Sequence, residues 1–259
     1  MSGARRPKAV KRPKFYFSLR SPYSWLAYRD LMEDHPELAA RLEWIPFCEP
    51  DETSAKLLAD AGGSFPYTAM SRAKHLYILQ DVKRLAADRG LDFAWPVDRA
   101  PWWEPAHLGY WVALRHGKGA EFIARAASAR WQEGLDICDP EVIGSFGPAL
   151  GIDPAELSGA PDDPDARAQG LRALLSVERD GVFGVPFFVR GYDKYWGLDR
   201  LPAFAGAVLA DPAGADPAGA DPAPTTTPDA VTVPSPGSGQ ALGLPTGSSV
   251  DDGHAGGCG

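Results

Sequence analysis

Two serines, Ser21 and Ser24, stand where the aromatic run Phe15-Tyr16-Phe17 passes through Ser18-Leu19-Arg20 into Ser21-Pro22-Tyr23-Ser24-Trp25. The run reads as a strand and the segment after it as a helix. Serine is a preferred N-cap because its hydroxyl accepts a bond from an orphan backbone N–H of the first turn. Proline in the next position has its φ pre-set for a helix and no N–H to satisfy. The Ser21 hydroxyl is therefore expected at the positive end of a helix, where backbone donors and the dipole favour an anion. Holding a small anion, of which a thiolate is one example, is chemistry that such a place supports. The dipole contributes about 0.3–1 kcal/mol at exposed sites and up to about 2 when partly buried. A hydrogen bond to a charged group adds roughly 1.5–3 kcal/mol. One pKa unit is about 1.4 kcal/mol, so the sum brings a thiol from about 8.5 to near neutrality. A purely structural helix cap would use the same residues.

The motif carries no sulfur of its own. A disulfide needs two thiols in reach of each other, and both motif positions are serine. Cys48, Cys138 and Cys258 are widely separated and form neither a Cys-x-x-Cys nor a zinc pattern. His35, His75, His107, His116 and His254 are scattered without ligand spacing, so metal catalysis has no support. Far downstream come Gly181-Val182-Phe183-Gly184-Val185-Pro186-Phe187-Phe188-Val189 and then Tyr195-Trp196-Gly197-Leu198-Asp199-Arg200-Leu201. Taken alone, Val185-Pro186 reads as an ordinary strand-start proline, and a cis bond there would cost only about 0.5–1 kcal/mol over trans.

Ser21-Pro22-Tyr23-Ser24 lies where a thioredoxin-fold protein carries its Cys-x-x-Cys, and Val185-Pro186 where it carries its cis-proline loop. The pair, in this order, resembles the 2-hydroxychromene-2-carboxylate isomerase and kappa-class glutathione transferase branch of the DsbA-like thioredoxin superfamily, over roughly residues 14–209. The resemblance implies an α/β thioredoxin-like fold with an inserted all-helical domain. It also implies glutathione, or another low-molecular-weight thiol, as cofactor. On that reading Ser21 is catalytic and stabilises the thiolate. The backbone of Val185, before Pro186, pairs with the cysteinyl unit as a short added strand would. Asp199 binds the γ-glutamyl ammonium, although it also reads as the cap of the last helix. Lys74 aligns with a lysine that meets the glycyl carboxylate, and a solvated lysine is the plainer reading. Leu198 departs from the small polar residue usual there, which removes a side-chain bond to the thiol. For the substrate, Arg20 and Tyr23 lie beside the serine, while Trp95 and Trp102-Trp103-Glu104 offer flat apolar surface and one carboxylate. Arg20 could equally pair with an acid, and the tryptophans could equally pack between domains.

The elements that position these residues follow from local rules. Strands are expected at 14–18, at 41–47 and as a pair around Gly191-Tyr192-Asp193. Pro46 ends the second strand or confines it to an edge. Helices are expected from Ser21 to about Asp34, stopped by His35-Pro36, and over Ser71–Arg89, with Leu76, Leu79, Val82 and Leu85 on one stripe. Others fall near 104–116, 118–133, 140–150 and 165–180, with a last one at 199–209. The expected organisation is a basic flexible arm at 1–13, thioredoxin-fold halves at 14–48 and 165–210, and a helical insertion at 49–164. The stretch 211–259 has no aromatic residue and no Lys or Arg, so it reads as a disordered tail.

With 259 residues, 44 % of them hydrophobic, the chain has ample material for a core in one large domain or two. A net charge of −8 makes an unsuitable nucleic-acid binder. There is no apolar h-region of a secretory signal and no run of 18 apolar residues. A reducing cytoplasm and no membrane partner are expected. The leading functional expectation is a thiol-dependent cis–trans isomerase of an aromatic or polyketide-type enone. Conjugation of the thiol to a small aromatic electrophile is the first alternative, and a non-catalytic binding protein the second. A homodimer is left open.

Overall fold

The computed structural model describes residues 12–66, 70–98 and 101–210. The tail at 211–259, with Cys258, and all but the last two residues of the basic arm lie outside the described residues. Strand β1 (Lys14–Phe17) runs between β2 (Glu43–Pro46), parallel to it, and β3 (Phe187–Arg190), antiparallel. Strand β4 (Asp193–Trp196) adds to β3 through the two-residue turn Gly191-Tyr192, where Gly191 has φ 63°. The sheet order is β2-β1-β3-β4. Pro46 is the last residue of an edge strand, where its missing N–H breaks no ladder bond.

Helix α1 (Pro22–Asp34) follows β1, with Ser21 as its N-cap. His35-Pro36 does more than stop it: Pro36 opens α2 (Pro36–Arg41) at once, because proline suits a first helical position as well as it ends a helix. Between β2 and β3 come α3 (Glu52–Asp60), α4 (Arg72–Asp88), α5 (Glu104–Arg115) and α6 (Gly119–Trp131). Three short helices follow, α7 (Pro140–Gly144), α8 (Gly147–Leu150) and α9 (Pro154–Ser158), then α10 (Pro164–Asp180). Helix α11 (Leu201–Leu209) closes the fold after β4. Asp51, Ser71, Asp139, Asp153 and Asp163 each accept a first-turn N–H, so the helix starts are written in local sequence. The buried stripe of α4 is Ile78, Val82 and Ala86, rotated from the expected one, and Leu76 is exposed. Ile78 and Val82 pack on Tyr23 of α1, which decides the face.

The largest core cluster joins Phe15 and Phe17 of β1, Phe188 of β3 and Phe204 of α11 to Leu108 and Val112 of α5 and Phe122 of α6. Phe188 stacks between Phe15 (4.8 Å) and Phe204 (4.9 Å). Each such aromatic pair adds about 0.5–1.5 kcal/mol to its burial. Helices α5 and α6 thus rest directly on the sheet side that carries Phe15, while α10 packs on the other side through Ala173 and Val177 against Tyr16 and Ile45. Helix α5 is held against the end of β1.

Candidate functional site

The chain leaves β1 through a tight turn made almost wholly of serine bonds. Ser21 N–H donates to the Ser18 carbonyl at 3.0 Å, Ser18 N–H to Ser24 Oγ at 3.2 Å, and Ser24 N–H to Ser21 Oγ at 3.2 Å. Arg20 N–H donates to Ser18 Oγ at 3.3 Å. All three serines are buried, Ser21 at 0 % exposure. Their oxygens therefore satisfy N–H groups that would otherwise be orphaned away from water. His107 of α5 pins the same turn. Its Nδ1 lies 2.7 Å from the Trp103 carbonyl, and its Nε2 lies 3.1 Å from Leu19 N and 3.3 Å from Ser18 Oγ. A carbonyl can only accept and a backbone N–H can only donate, so the proton sits on Nδ1 and Nε2 is the acceptor. Burial, with the charges of Arg130 and Arg20 adding to it and the Trp103 bond opposing, lowers the imidazole pKa to about 4. The ring is neutral near pH 7. In the sequence His107 was one scattered histidine among five, and only the fold reveals its place.

A cleft of about 580 Å³ opens beside the start of α1. Its walls are Tyr23 of α1, the α4 face with Lys74, Tyr77 and Asp81, Pro186, and the stretch from Trp196 to Asp199. The Val185–Pro186 bond is cis. Five sequence-predicted residues, Tyr23, Lys74, Pro186, Leu198 and Asp199, are brought together here from four distant segments. The Tyr23 hydroxyl donates to Asp81 Oδ2 at 2.8 Å, and Arg84 holds Asp81 Oδ1 at 3.0 Å. Lys74 stands in the exposed first turn of α4. Asp199 does not cap the last helix: it lies in a 3-10 turn, Leu198–Arg200, and Arg200 occupies the N-cap place of α11 without a side-chain bond. Its carboxylate is 75 % exposed, with Arg200 at 3.8 Å. Gly197 precedes it at φ 102°, and a Cβ there would come within 2.8 Å of Asp199 Oδ1. Leu198 packs against the clusters of Tyr23 and of Trp25.

Six expected site residues do not line this cleft. Ser21 is wholly enclosed, its oxygen turned to Ser24 N–H, and Val185 is buried among the side chains behind the sheet. Trp103 is buried with the guanidinium carbons of Arg20 and Arg130 at 4.8 and 4.9 Å from its ring centre. Arg20 also reaches Glu49 at 3.6 Å, and Arg130 forks onto Asp98 at 2.8 and 2.9 Å. Such cation–π stacking draws all of them into the joint between turn and helices rather than towards a ligand. Glu104 is 2 % exposed, accepts from Asp51 N–H at 3.1 Å and lies 3.8 Å from Arg167. Burial pushes its carboxyl pKa up. Arg167 binds both oxygens of Asp51 at 2.9 Å. Trp102 is half-exposed, its indole N–H 3.3 Å from Asp51 Oδ2. Trp95 packs edge-on to Trp131 at 6.0 Å.

Neither described cysteine is set up to react. Burial, with Glu104 and Asp51 nearby, holds the Cys48 thiol well up, and burial lifts Cys138 to about 12. Asp98, Asp136 and Cys138 lie close enough together to share a cation, but the Arg130 guanidinium already occupies both oxygens of Asp98.

A strand that ends in a capped helix, a cis-proline facing that helix across a cleft, and helices inserted between strands two and three define a thioredoxin-like protein of the DsbA type. Residues 14–209 match the DSBA-like thioredoxin domain, and the chain belongs to that family. Among individual relatives, the 2-hydroxychromene-2-carboxylate isomerase of Sphingobium xenophagum is 27 % identical over 192 residues, covering 72 % of this chain and 92 % of that one. A solved 2-hydroxychromene-2-carboxylate isomerase superposes with a TM-score of 0.56 at 21 % identity, over 76 % of this chain and 94 % of its own. The cytosolic disulfide reductase DsbM of Pseudomonas aeruginosa, solved with GSH, gives 0.50 at 18 % identity, over 76 % and 98 %. Both structural likenesses carry the fold alone. Among the described residues no helix is long and apolar enough to cross a membrane.

Proposed function

We propose that this protein is a thiol-dependent isomerase acting on an aromatic or polyketide-type enone, with glutathione or a similar small thiol as cofactor, in the cytoplasm. The observation that carries the reading is the meeting of Lys74, Asp199, Leu198, Pro186 and Tyr23 in one cleft. Lys74 and Asp199 suit a thiol with a carboxylate at one end and an ammonium at the other. The backbone around Val185 and Pro186 would align the middle of it, and Tyr77 and Trp196 supply aromatic walls for the enone. The likeness to an isomerase at 27 % identity supports the same reaction class.

The chemistry balances without an oxidant or a consumed reagent. The thiol proton leaves to water, and the thiolate adds to the electron-poor alkene carbon while the π pair moves to the carbonyl oxygen as an enolate. The former double bond is now single and rotates. Collapse of the enolate expels the thiolate and leaves the other isomer, so the thiol acts as a cofactor. Ser21 caps α1 and fixes the first turn from which Tyr23 reaches the cleft. The helix dipole at that turn favours the anion by up to about 2 kcal/mol.

Calorimetric titration with glutathione, followed by product analysis with an enone, tests this. The wild type binds, Lys74→Ala and Asp199→Ala each bind up to about fivefold more weakly, as expected for losing an exposed ion pair of up to about 1 kcal/mol, and thiol is not consumed. Net thiol consumption would mark a transferase instead. Absence of binding by the wild type would remove the proposal in favour of a non-catalytic protein, the reading that Leu198 in the cleft wall favours.

A further inference from the structure

The cleft runs along the length of α1. Tyr23, Asp30 and Asp34 all line it, and their spacing of seven and then four residues puts them on one helix face. At 1.5 Å per residue they span about 16 Å, from the first turn to the last. Helix α4 lines the other side with Lys74, Asp81, Leu85 and Arg89. Tyr23 bonds Asp81 and Asp30 bonds Arg89, each at 2.8 Å, so the two helices run side by side in one direction. Lys74 therefore stands at one end of the cleft, and Asp34 with Arg89 at the other.

Beyond Lys74 the cleft offers a substrate apolar surface and negative charge. Ile78, Leu85, Leu201 and Pro202 line it together with Asp30, Asp34 and Asp81. On its described walls the Lys and Arg side chains are Lys74 and Arg89, and the reading above gives Lys74 to the carboxylate of the thiol. Arg89 has each of its three nitrogens engaged: Nε and Nη2 on the two oxygens of Asp30 at 2.8 Å, and Nη1 on the Leu85 carbonyl at 2.9 Å. A carboxylate on the substrate would thus leave water for leucine and isoleucine and face Asp34 without a cation from these walls. Burying an unpaired charge is costly, and a cleft of one sign focuses its field on whatever enters. Resting on the thiol-dependent reading above, we propose that the enone this cleft takes is uncharged, and that Asp34, beside the closed Asp30–Arg89 pair, is the specificity determinant that turns carboxylates away. The Sphingobium relative is named for a carboxylate; the far end of this cleft is built against one. Rejection by like charge is a common source of specificity.

The test compares a cis aryl enone carrying a ring carboxylate with its primary amide, which has the same shape and no charge. Both are isomerised with glutathione by wild type, Asp34→Asn and Asp34→Lys. The lining also holds His35, so the assay is run at pH 8, where imidazole side chains are generally uncharged. The readout is the amide-to-acid ratio of kcat/KM, in which any general loss of activity cancels. Wild type is expected to favour the amide about tenfold at low salt, the lower end of what a one-signed cleft does to a charged ligand. At about 1 M salt, where the Debye length is about 3 Å, the ratio falls severalfold. Asp34→Asn lowers it and Asp34→Lys brings it to one or below; lysine in the last turn of α1 also suits the helix dipole, so this variant folds. A wild type that turns over the acid as well as the amide, or a ratio that Asp34→Lys leaves unmoved, overturns the assignment, while thiol-dependent turnover of the amide keeps the reading above intact. A wild type that isomerises neither compound with glutathione overturns both.

Discussion

Acidification gives a direct measure of how firmly α5 fastens the serine turn. His107 is 1 % exposed, and its pKa falls from 6.5 to about 4, chiefly through burial. Between those values the unfolded chain binds a proton that the folded chain refuses. Stability therefore rises with pH across this window and falls as the pH drops from 6.5 towards 4. The loss from this group alone is about 1.4 kcal/mol at pH 5.5 and about 2–3 kcal/mol at pH 4.5. Protonation also turns Nε2 into a donor facing the Leu19 N–H, another donor. In His107→Gln the amide oxygen can stand where Nε2 accepts, and it does not titrate. Urea unfolding at pH 7.5, 6.5, 5.5 and 4.5 should show the variant about 1–2 kcal/mol less stable at the top of the range, where ring packing is lost. By pH 4.5 the gap closes or reverses, because only the wild type carries the imidazole penalty. Stability curves for wild type and variant that stay parallel across the four pH values would refute the reasoning.

Leu198→Ser restores a polar side chain beside the cleft and should tighten glutathione binding by up to about tenfold, one new hydrogen bond's worth of 0.5–1.5 kcal/mol. The same change lowers the melting temperature, because the leucine packs on the Tyr23 and Trp25 clusters, and calorimetry reads both effects. Arg167→Leu strands Asp51 and Glu104 in the interior and should destabilise by about 3–5 kcal/mol at pH 7. Adding Glu104→Gln should recover part of that in the same unfolding assay.

What could be read in the sequence was whatever a local rule determines. Pro22, Pro140, Pro154 and Pro164 mark helix starts, and Gly181 at φ 65° marks a stop, because these residues restrict or free one backbone angle. The cis-proline was legible too, and Tyr23, Pro186, Leu198 and Asp199 line one cleft because the two motifs keep their places relative to sheet and helix, while Lys74 joins them from α4. The misplaced residues share a different cause. Trp103 and Glu104 look the same in sequence whether their helix faces a ligand or a core, and the choice was made by where α5 settles against β1. Ser21 was rightly a cap, but its enclosure depends on neighbours far along the chain. His107 left no local signal, because all its partners but Trp103 come from the other side of that contact.

The cleft walls are drawn from the span 23–35, from 74–89, from residue 186 and from 196–202. Such a space has no precursor in any fragment, since a chain stopped inside α10 lacks both the proline and the aspartate sides. A ligand that fits it recognises only the finished molecule and adds stability as its concentration exceeds the dissociation constant, about 2.7 kcal/mol at a hundredfold excess. Supply of the small molecule and survival of the newly made chain are thereby tied together.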